Sequence, residues 1–298
     1  MSIVKTWLEA FRLRTLPLSF ALVLTGSAIA LQNDCFSTTI FALELTTTLF
    51  LQILSNLSND YGDTVHGVDN AQRKGPTRAV QSGAISPVAM QRAILVFSLL
   101  SLVAGISLLV VSLPIIGMYG LATLFVIGLL CIAAAITYTC GKHAYGYVGL
   151  GDLSVFIFFG IVGVCGCFYL HSGTLLPQSF LLASAIGLLS VGVLNMNNIR
   201  DMESDLVAGK RSIPIIIGRK CAKVYHSIVI VSAITLISIY IAIWGASIQS
   251  ISLLATTPLI INAIRTHTND THSFFDSQLK IISISTFLFS TLFILTSR

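Results

Sequence analysis

Residues 56–78 read NLSNDYGDTVHGVDNAQRKGPTR, a charged stretch that ends a long apolar segment. A second stretch, residues 195–211, reads NMNNIRDMESDLVAGKR and also follows an apolar segment. Together the two stretches hold half of the 12 acidic residues of the chain. The rest of the sequence is therefore interpreted as a frame that carries two charged segments.

The composition indicates that this frame lies in a membrane. The chain has 298 residues, of which 55% are hydrophobic and 10% charged, and its mean hydropathy is +0.89. Soluble domains carry about 25% charged residues. Inside lipid the backbone must satisfy its own hydrogen bonds, which leaves helices or a closed barrel, and the long apolar runs favour helices of about 20 residues. We expect an all-α integral membrane protein, one domain over residues 1–298, with no nucleic-acid partner.

Charged residues and turns divide the chain into nine predicted transmembrane spans. Three spans stand alone: span 1 between Arg14 and Asp34, span 2 between Cys35 and Asn59, and span 9 between Lys280 and Arg298. The other six form pairs, each pair lying in one long uncharged run. Spans 3 and 4 lie between Arg92 and Lys142 with a turn near Pro114, spans 5 and 6 between Asp152 and Arg200 with a break at residues 171–177, and spans 7 and 8 between Lys223 and Arg265 with a break at residues 244–250.

With nine spans, all of the 17 basic residues except Arg298 fall on one side of the membrane. Lysine and arginine mark cytoplasmic loops, so this side is predicted to be cytoplasmic and the N-terminus to lie there. Both acidic clusters follow spans that run towards this side. The expected location is the cell inner membrane, with a multi-pass chain whose active site opens on the cytoplasmic side.

The acidic residues of each cluster are spaced to share one side of a helix. Asn56, Asn59, Asp60 and Asp63 are spaced i, i+3, i+4 and i+7, and Asn197, Asp201 and Asp205 are spaced i, i+4 and i+8. An aspartate at the centre of a spanning helix costs about 2.5–3.5 kcal/mol, so these side chains must face a polar cavity. Charged loops between membrane helices are common, and a solvated loop is the alternative explanation for either cluster alone. Two clusters of the same kind favour a site.

Carboxylates beside cations in a membrane protein suggest a site for a lipid diphosphate. Hard oxygen ligands suit Mg²⁺, which binds one or two carboxylates and shares its shell with phosphate oxygens. The cations of the two clusters are suited to phosphate. Those expected to contact a diphosphate are Arg73, Lys74, Arg78, Lys210 and Arg211.

Three further residues are candidates with an equally simple alternative. Tyr138 and Lys142 would share one side of span 4 if the helix continued through them, and a glycine-rich loop follows. An interfacial tyrosine and a snorkelling lysine would give the same pattern. Arg14, just before span 1, either reaches the cavity or anchors the chain at the membrane surface.

Four motifs, in this order along the chain, resemble those of the UbiA superfamily of intramembrane prenyltransferases. They are NDYGDTVHGVD, GPTRAVQSG, YTCGKHAYGYVGLGDLSVFIFFG and NNIRDMESDLVAGKRSIP. The resemblance covers essentially the whole chain and is nearest to the branch that prenylates 1,4-dihydroxy-2-naphthoate in menaquinone biosynthesis. It implies nine transmembrane helices around a central cavity.

The resemblance also implies roles for individual residues. Mg²⁺ is expected on Asp60, Asp63, Asp69, Asp201 and Asp205. Asn59, Asn197 and Asn198 belong to the motifs and are expected beside the diphosphate. The cations and Arg14 are expected there from their charge and position. Asp63, Asp201, Tyr138 and Lys142 are expected to be catalytic.

The implied reaction transfers a polyprenyl group from polyprenyl diphosphate to dihydroxynaphthoate, with loss of CO₂. Another aromatic acceptor, such as 4-hydroxybenzoate, is the alternative within the family. A transporter is a more distant alternative, but transporters place polar residues near the membrane midplane, whereas both clusters here lie at one face. The pattern of phosphatidyl-alcohol transferases, with all acidic residues in one helical region, is not found.

Overall fold

The computed structural model describes residues 3–68, 78–142 and 144–297, and its regular elements over these residues are all helical. This confirms the predicted all-α class. Eight helical segments of the described chain are long and apolar enough to cross a membrane. In chain order the helices are α1 Ile3–Phe11, α2 Leu16–Gln32, α3 Thr38–Val65, α4 Pro87–Thr137, α5 Gly151–Ser172, α6 Ser179–Arg200, α7 Met202–Val207, α8 Ile213–Ile217, α9 Arg219–Trp244, α10 Ser247–Thr266 and α11 His272–Leu295.

The segment α4 accounts for the difference between eight segments and nine predicted spans. It has 51 residues, which as a straight helix would be about 76 Å long, more than twice the roughly 30 Å hydrocarbon core. Its backbone leaves the helical conformation at Gly117, where φ is 67° and ψ is 178°. Positive φ costs glycine no steric strain, so the break lies here and not at the nearby Pro114. α4 is therefore long enough to contain two of the predicted spans.

The last helix starts earlier than the charges suggest. The charges predict that span 9 follows Lys280, but α11 begins at His272. The side chain of Thr271 caps it by accepting the N–H of Phe274 at 3.3 Å. Asp276 and Lys280 therefore lie inside the helix. Both line a large internal cavity, which explains how a membrane helix accommodates them. A boundary placed by charge alone cannot anticipate this.

The helices surround that cavity in a closed arrangement. α3 packs against α4, α5 against α6, and α6 against α9, while α11 packs along both α6 and α2 and so joins the two ends of the chain. The largest core cluster lies between these last helices and is apolar. Its bulkiest members are Tyr240, Phe168, Phe275, Phe289 and Phe293.

The contact between α5 and α6 depends on two glycines. A Cβ atom on Gly160 would lie 2.5 Å from the carbonyl oxygen of Ala183 and 2.8 Å from the Cα of Gly187. Residues Phe156–Cys165 of α5, which include Gly160, form a π-helix. Close approach of the two backbones holds α6 against α5 at this level.

We expect Gly160→Ala to lower the midpoint of thermal unfolding of the detergent-solubilised protein. The added methyl would meet backbone atoms that cannot rotate away, and overpacking of this kind costs about 1–3 kcal/mol. Gly128→Ala is the control, because a Cβ there meets no atom within 4 Å. Equal midpoints for the two variants would contradict the proposed close packing.

Candidate active site

The two acidic clusters meet at one small polar cavity. Asp63, near the end of α3, faces Asp201 and Asp205, which follow the end of α6 and lie in and beside α7. We call this space the polar cavity. Its lining residues are Asp63, Val68, Arg78, Asn197, Asp201, Ser204, Asp205 and Lys210.

A much larger cavity opens from the same place. Its volume is about 1420 Å³, and we call it the main cavity. It shares four side chains with the polar cavity, namely Asp63, Arg78, Asn197 and Lys210. Its far part is mostly apolar and is lined by residues of α4 and α5 such as Leu109, Phe125 and Phe158. The polar cavity is therefore joined to an apolar space large enough for a lipid chain.

The carboxylate of Asp63 has two partners. The Nη2 of Arg78 lies 3.0 Å from its Oδ2, and the hydroxyl of Tyr147 donates to its Oδ1 at 2.8 Å. The aspartate side chain is only 8% exposed. The ring of Tyr147 also lies beneath the Nζ of Lys210, 5.6 Å from the ring centroid. One tyrosine thus connects the first cluster to a cation of the second.

Asp201 and Asp205 are each paired with a cation of their own cluster. Arg200 donates to both oxygens of Asp201, from Nε at 2.8 Å and from Nη2 at 2.6 Å. The Nζ of Lys210 lies 3.2 Å from Oδ2 of Asp205. Burial raises the pKa of Asp205, and Lys210 opposes that shift. Burial works against the charge of Lys210, but Asp205 and Asp63 outweigh it, so the pKa of Lys210 is raised and the lysine stays protonated.

Asp60 is placed differently from the neighbouring aspartates. It is buried, and its two oxygens accept the backbone N–H groups of Ala79 and Val80, each at 3.1 Å. It lines the main cavity and not the polar cavity. These are the contacts of a residue that holds the loop after α3 in place, and they differ from those expected of a metal ligand.

The predicted pairing of Tyr138 with Lys142 does not form. α4 ends at Thr137, and Gly141 has φ of 95°, so the two residues are not on one helix. Tyr138 lines the main cavity, and burial raises the pKa of its hydroxyl, with Asp152 and Asp63 adding to the shift. Lys142 is exposed and lines neither cavity.

The other predicted contacts separate into three groups. Arg14, Asn59, Asn197 and Asn198 line the main cavity. The side chain of Arg211 is exposed and lines neither cavity, although its backbone N–H donates to the carbonyl of Tyr147 at 2.8 Å. Asp69, Arg73 and Lys74 lie outside the described residues.

Sequence reasoning missed two residues of the site. Tyr147 belongs to the glycine-rich loop after α4, and only the fold brings its hydroxyl to Asp63. Arg200 stands directly before Asp201 in the sequence, and this adjacency was the available signal. Its charge was attributed to membrane orientation, whereas its guanidinium is 5% exposed and bound to the cluster.

The carboxylates of the polar cavity fit a divalent cation. Among the described residues, no three acidic, histidine or cysteine side chains converge tightly enough to enclose a metal ion unaided. However, Asp63, Asp201 and Asp205 line one small space, and the buried Oδ2 of Asp205 has an ion pair with Lys210 but no hydrogen bond of regular geometry. Mg²⁺ usually takes one or two carboxylates and completes its shell with water and phosphate. Such a donor set suits it.

Known proteins share both the sequence and the fold. A 1,4-dihydroxy-2-naphthoate octaprenyltransferase of Escherichia coli K12 is 38% identical over 265 residues, covering 89% of this chain and 85% of the relative. The enzyme of the same name from Haemophilus influenzae is 40% identical over 232 residues, 76% of this chain and 74% of the relative.

Among solved structures, an apo UbiA homologue from Aeropyrum pernix K1 has a TM-score of 0.70 at 18% identity, covering 99% of this chain and 98% of its own. A UbiA homologue from Archaeoglobus fulgidus bound to GPP and Mg²⁺ has a TM-score of 0.60 at 17% identity, covering 96% and 99%. The family model of the UbiA prenyltransferases matches residues 19–284. With its two acidic clusters on one cavity and this match over most of its length, the chain belongs to the UbiA prenyltransferase family.

Proposed function

We propose that this protein transfers a polyprenyl group from polyprenyl diphosphate to 1,4-dihydroxy-2-naphthoate, with loss of CO₂, as a step of menaquinone biosynthesis. The observation that carries the proposal is the meeting of Asp63, Asp201 and Asp205 at a polar cavity that opens into a large apolar one. A lipid diphosphate has the same two parts, a charged head and an apolar chain. The names of the two bacterial relatives supply the acceptor.

The polar cavity is the place for the diphosphate. Asp63, Asp201 and Asp205 would hold Mg²⁺, which when bound supplies positive charge that stabilises the departing diphosphate. Arg78 and Lys210 line the same space and contact the phosphate oxygens directly. The Asn197 side chain lines both cavities and is placed at their junction.

The main cavity takes the polyprenyl chain and the aromatic ring. The bond between C1 of the prenyl group and the diphosphate oxygen breaks, and its electron pair leaves with the diphosphate. The ring carbon that bears the carboxylate forms the new C–C bond. The C–CO₂ bond then breaks, its electron pair restores the aromatic ring, and CO₂ leaves. Apolar residues of α4 and α5 exclude water, which would otherwise capture the allylic cation.

The location follows from the distribution of basic residues. The charged ends of α3 and α6 lie with the lysines and arginines that favour the cytoplasmic side. We place the chain in the cell inner membrane with its polar cavity towards the cytoplasm, from which both the water-soluble acceptor and Mg²⁺ are supplied.

The direct test is an assay on membranes that contain the protein, a polyprenyl diphosphate and Mg²⁺. Dihydroxynaphthoate should give prenylated product and one CO₂ per transfer, and a chelator should abolish both until Mg²⁺ is restored. 4-Hydroxybenzoate is the competing acceptor, and its prenylation releases a proton and no CO₂. Product from 4-hydroxybenzoate alone would overturn the assigned acceptor.

Asp63→Asn and Asp201→Asn should each reduce turnover by roughly a hundredfold or more, because each removes charge that the site directs at the diphosphate through the metal. Asp34→Asn is the control, since this aspartate is exposed in the connection between α2 and α3. All three variants should insert into membranes at the same level. Near-normal turnover in either of the first two variants would contradict their role.

Asp60→Asn should behave differently from Asp63→Asn. The amide keeps one oxygen but places an NH₂ group against the N–H of Ala79 or Val80, and an unsatisfied buried donor costs about 1–3 kcal/mol. We expect Asp60→Asn to lower the midpoint of thermal unfolding and to lose turnover only in step with that fall. Asp63→Asn, which also leaves Arg78 without its carboxylate, should lose turnover far beyond any fall in its midpoint. If Asp60→Asn lost activity at an unchanged midpoint, Asp60 would instead be a direct ligand of metal or diphosphate.

A further inference from the structure

Arg200 lies between the two cavities, and one N–H group of its guanidinium makes no hydrogen bond to the described residues. Its guanidinium makes four hydrogen bonds, two to Asp201, one from Nη2 to Asn197 at 2.8 Å and one from Nη1 to Oδ1 of Asp276 at 2.5 Å. A guanidinium has five N–H groups. Within the described part of the chain, the second N–H of Nη1 has no acceptor.

Asp276, which is hydrogen-bonded to Arg200, has a carboxylate oxygen that accepts no hydrogen bond from the described residues. Its Oδ1 binds Arg200, while Oδ2 accepts no hydrogen bond from the residues that the structure describes. The aspartate side chain is 41% exposed, and both it and Arg200 line the main cavity, as does Lys280 one turn further along α11. A donor and an acceptor therefore lie on two hydrogen-bonded residues that both line the main cavity, the space proposed to receive the aromatic ring.

This pair matches one kind of ligand. A carboxylate accepts hydrogen bonds and a phenolic hydroxyl donates one, so an aromatic ring that carries the two on neighbouring carbons presents the complementary pattern. 1,4-Dihydroxy-2-naphthoate carries its carboxylate next to a hydroxyl. 4-Hydroxybenzoate carries them on opposite sides of the ring and satisfies only one partner at a time.

We propose that Nη1 of Arg200 and Oδ2 of Asp276 form the acceptor subsite, which binds the adjacent carboxylate and hydroxyl of an aromatic ortho-hydroxycarboxylate. The inference rests on the proposed function and adds to it the residues that select the acceptor. The guanidinium of Arg200 also contacts Asp201 of the polar cavity. A ring bound at this subsite would therefore lie beside the prenyl carbon that separates from the diphosphate. Lys280 adds positive potential for the carboxylate.

The test compares the binding of two naphthoates by purified protein in detergent, measured through the intrinsic fluorescence of each naphthoate. 1-Hydroxy-2-naphthoate carries the hydroxyl that Asp276 should bind, and 2-naphthoate lacks it. Asp276→Asn replaces the free acceptor with an NH₂ donor. It should raise the Kd for 1-hydroxy-2-naphthoate about tenfold or more, the effect of losing a hydrogen bond to a charged group. The Kd for 2-naphthoate should change less than about twofold, and Asp276→Glu should restore part of the preference.

Asp270→Asn is the matched control. Asp270 pairs with Lys223 at 2.9 Å at the start of the same helix region but lines neither cavity, so both Kd values should match those of the unmodified protein. In turnover assays Asp276→Asn should raise the KM for dihydroxynaphthoate and leave the KM for polyprenyl diphosphate unchanged.

The outcomes separate this inference from the proposed function. If the unmodified protein makes no product from dihydroxynaphthoate, the proposed function fails and the subsite fails with it. If the unmodified protein is active but Asp276→Asn weakens both naphthoates equally, or weakens neither, the acceptor subsite is wrong and the proposed function stands.

Discussion

Pairing of buried carboxylates with cations is the interaction on which this structure depends. The aspartates of the polar cavity each have their own partner, Arg78 for Asp63, Arg200 for Asp201 and Lys210 for Asp205. An ion buried without a partner costs several kcal/mol, and more so near a bilayer. α3 and α6 can end in acidic residues because each carboxylate meets a cation: the loops that follow supply Arg78 and Lys210, and α6 itself ends in Arg200.

The same pairing explains how the site accommodates a substrate. A diphosphate brings negative charge, and the metal ion that accompanies it brings positive charge. On the proposed function, the aspartates would hold the metal ion, and Arg78 and Lys210 would turn from their carboxylates to the phosphate oxygens. Because the cations are already buried at the site, this exchange needs small side-chain movements rather than the import of charge. Tyr147 donates to Asp63 and lies under Lys210, so it maintains the geometry of both partners.

Much of this arrangement can be predicted from the sequence, since it follows from where charge is absent. Long uncharged segments mark the membrane helices, and two acidic clusters after spans of the same direction must lie at the same face. What cannot be predicted is the rotation of a helix end and the path of a loop. Asp60 and Asp63 have the spacing of one helical side, yet the loop at Val80 covers the first and leaves the second in the cavity.

Two further differences between the sequence-based predictions and the structure have the same physical origin. The spacing of Tyr138 and Lys142 is meaningful only on a continuous helix, and α4 ends at Thr137 before it includes either. The sequence predicts a loop at Asp276 because charge inside a membrane span is costly, but a helix that lines a polar space has no such cost on that side. Charge delimits lipid-facing segments, and it misplaces the ends of helices that face a cavity.

The way in which the two cavities join distinguishes a transporter from an enzyme that acts on a lipid diphosphate. A transporter needs a polar route through the membrane, whereas the charged groups of the polar cavity lie at one end and the main cavity continues into the apolar side chains of α4 and α5. The side chains shared by both cavities, including Asn197 and Lys210, mark the place where a charged head and an apolar chain of one molecule must join. In a prenyl diphosphate that junction is the carbon–oxygen bond that breaks. Arg200 reaches this junction from the side of the main cavity, so on the proposed function the bond to be broken and the ring that attacks it meet at one charged boundary.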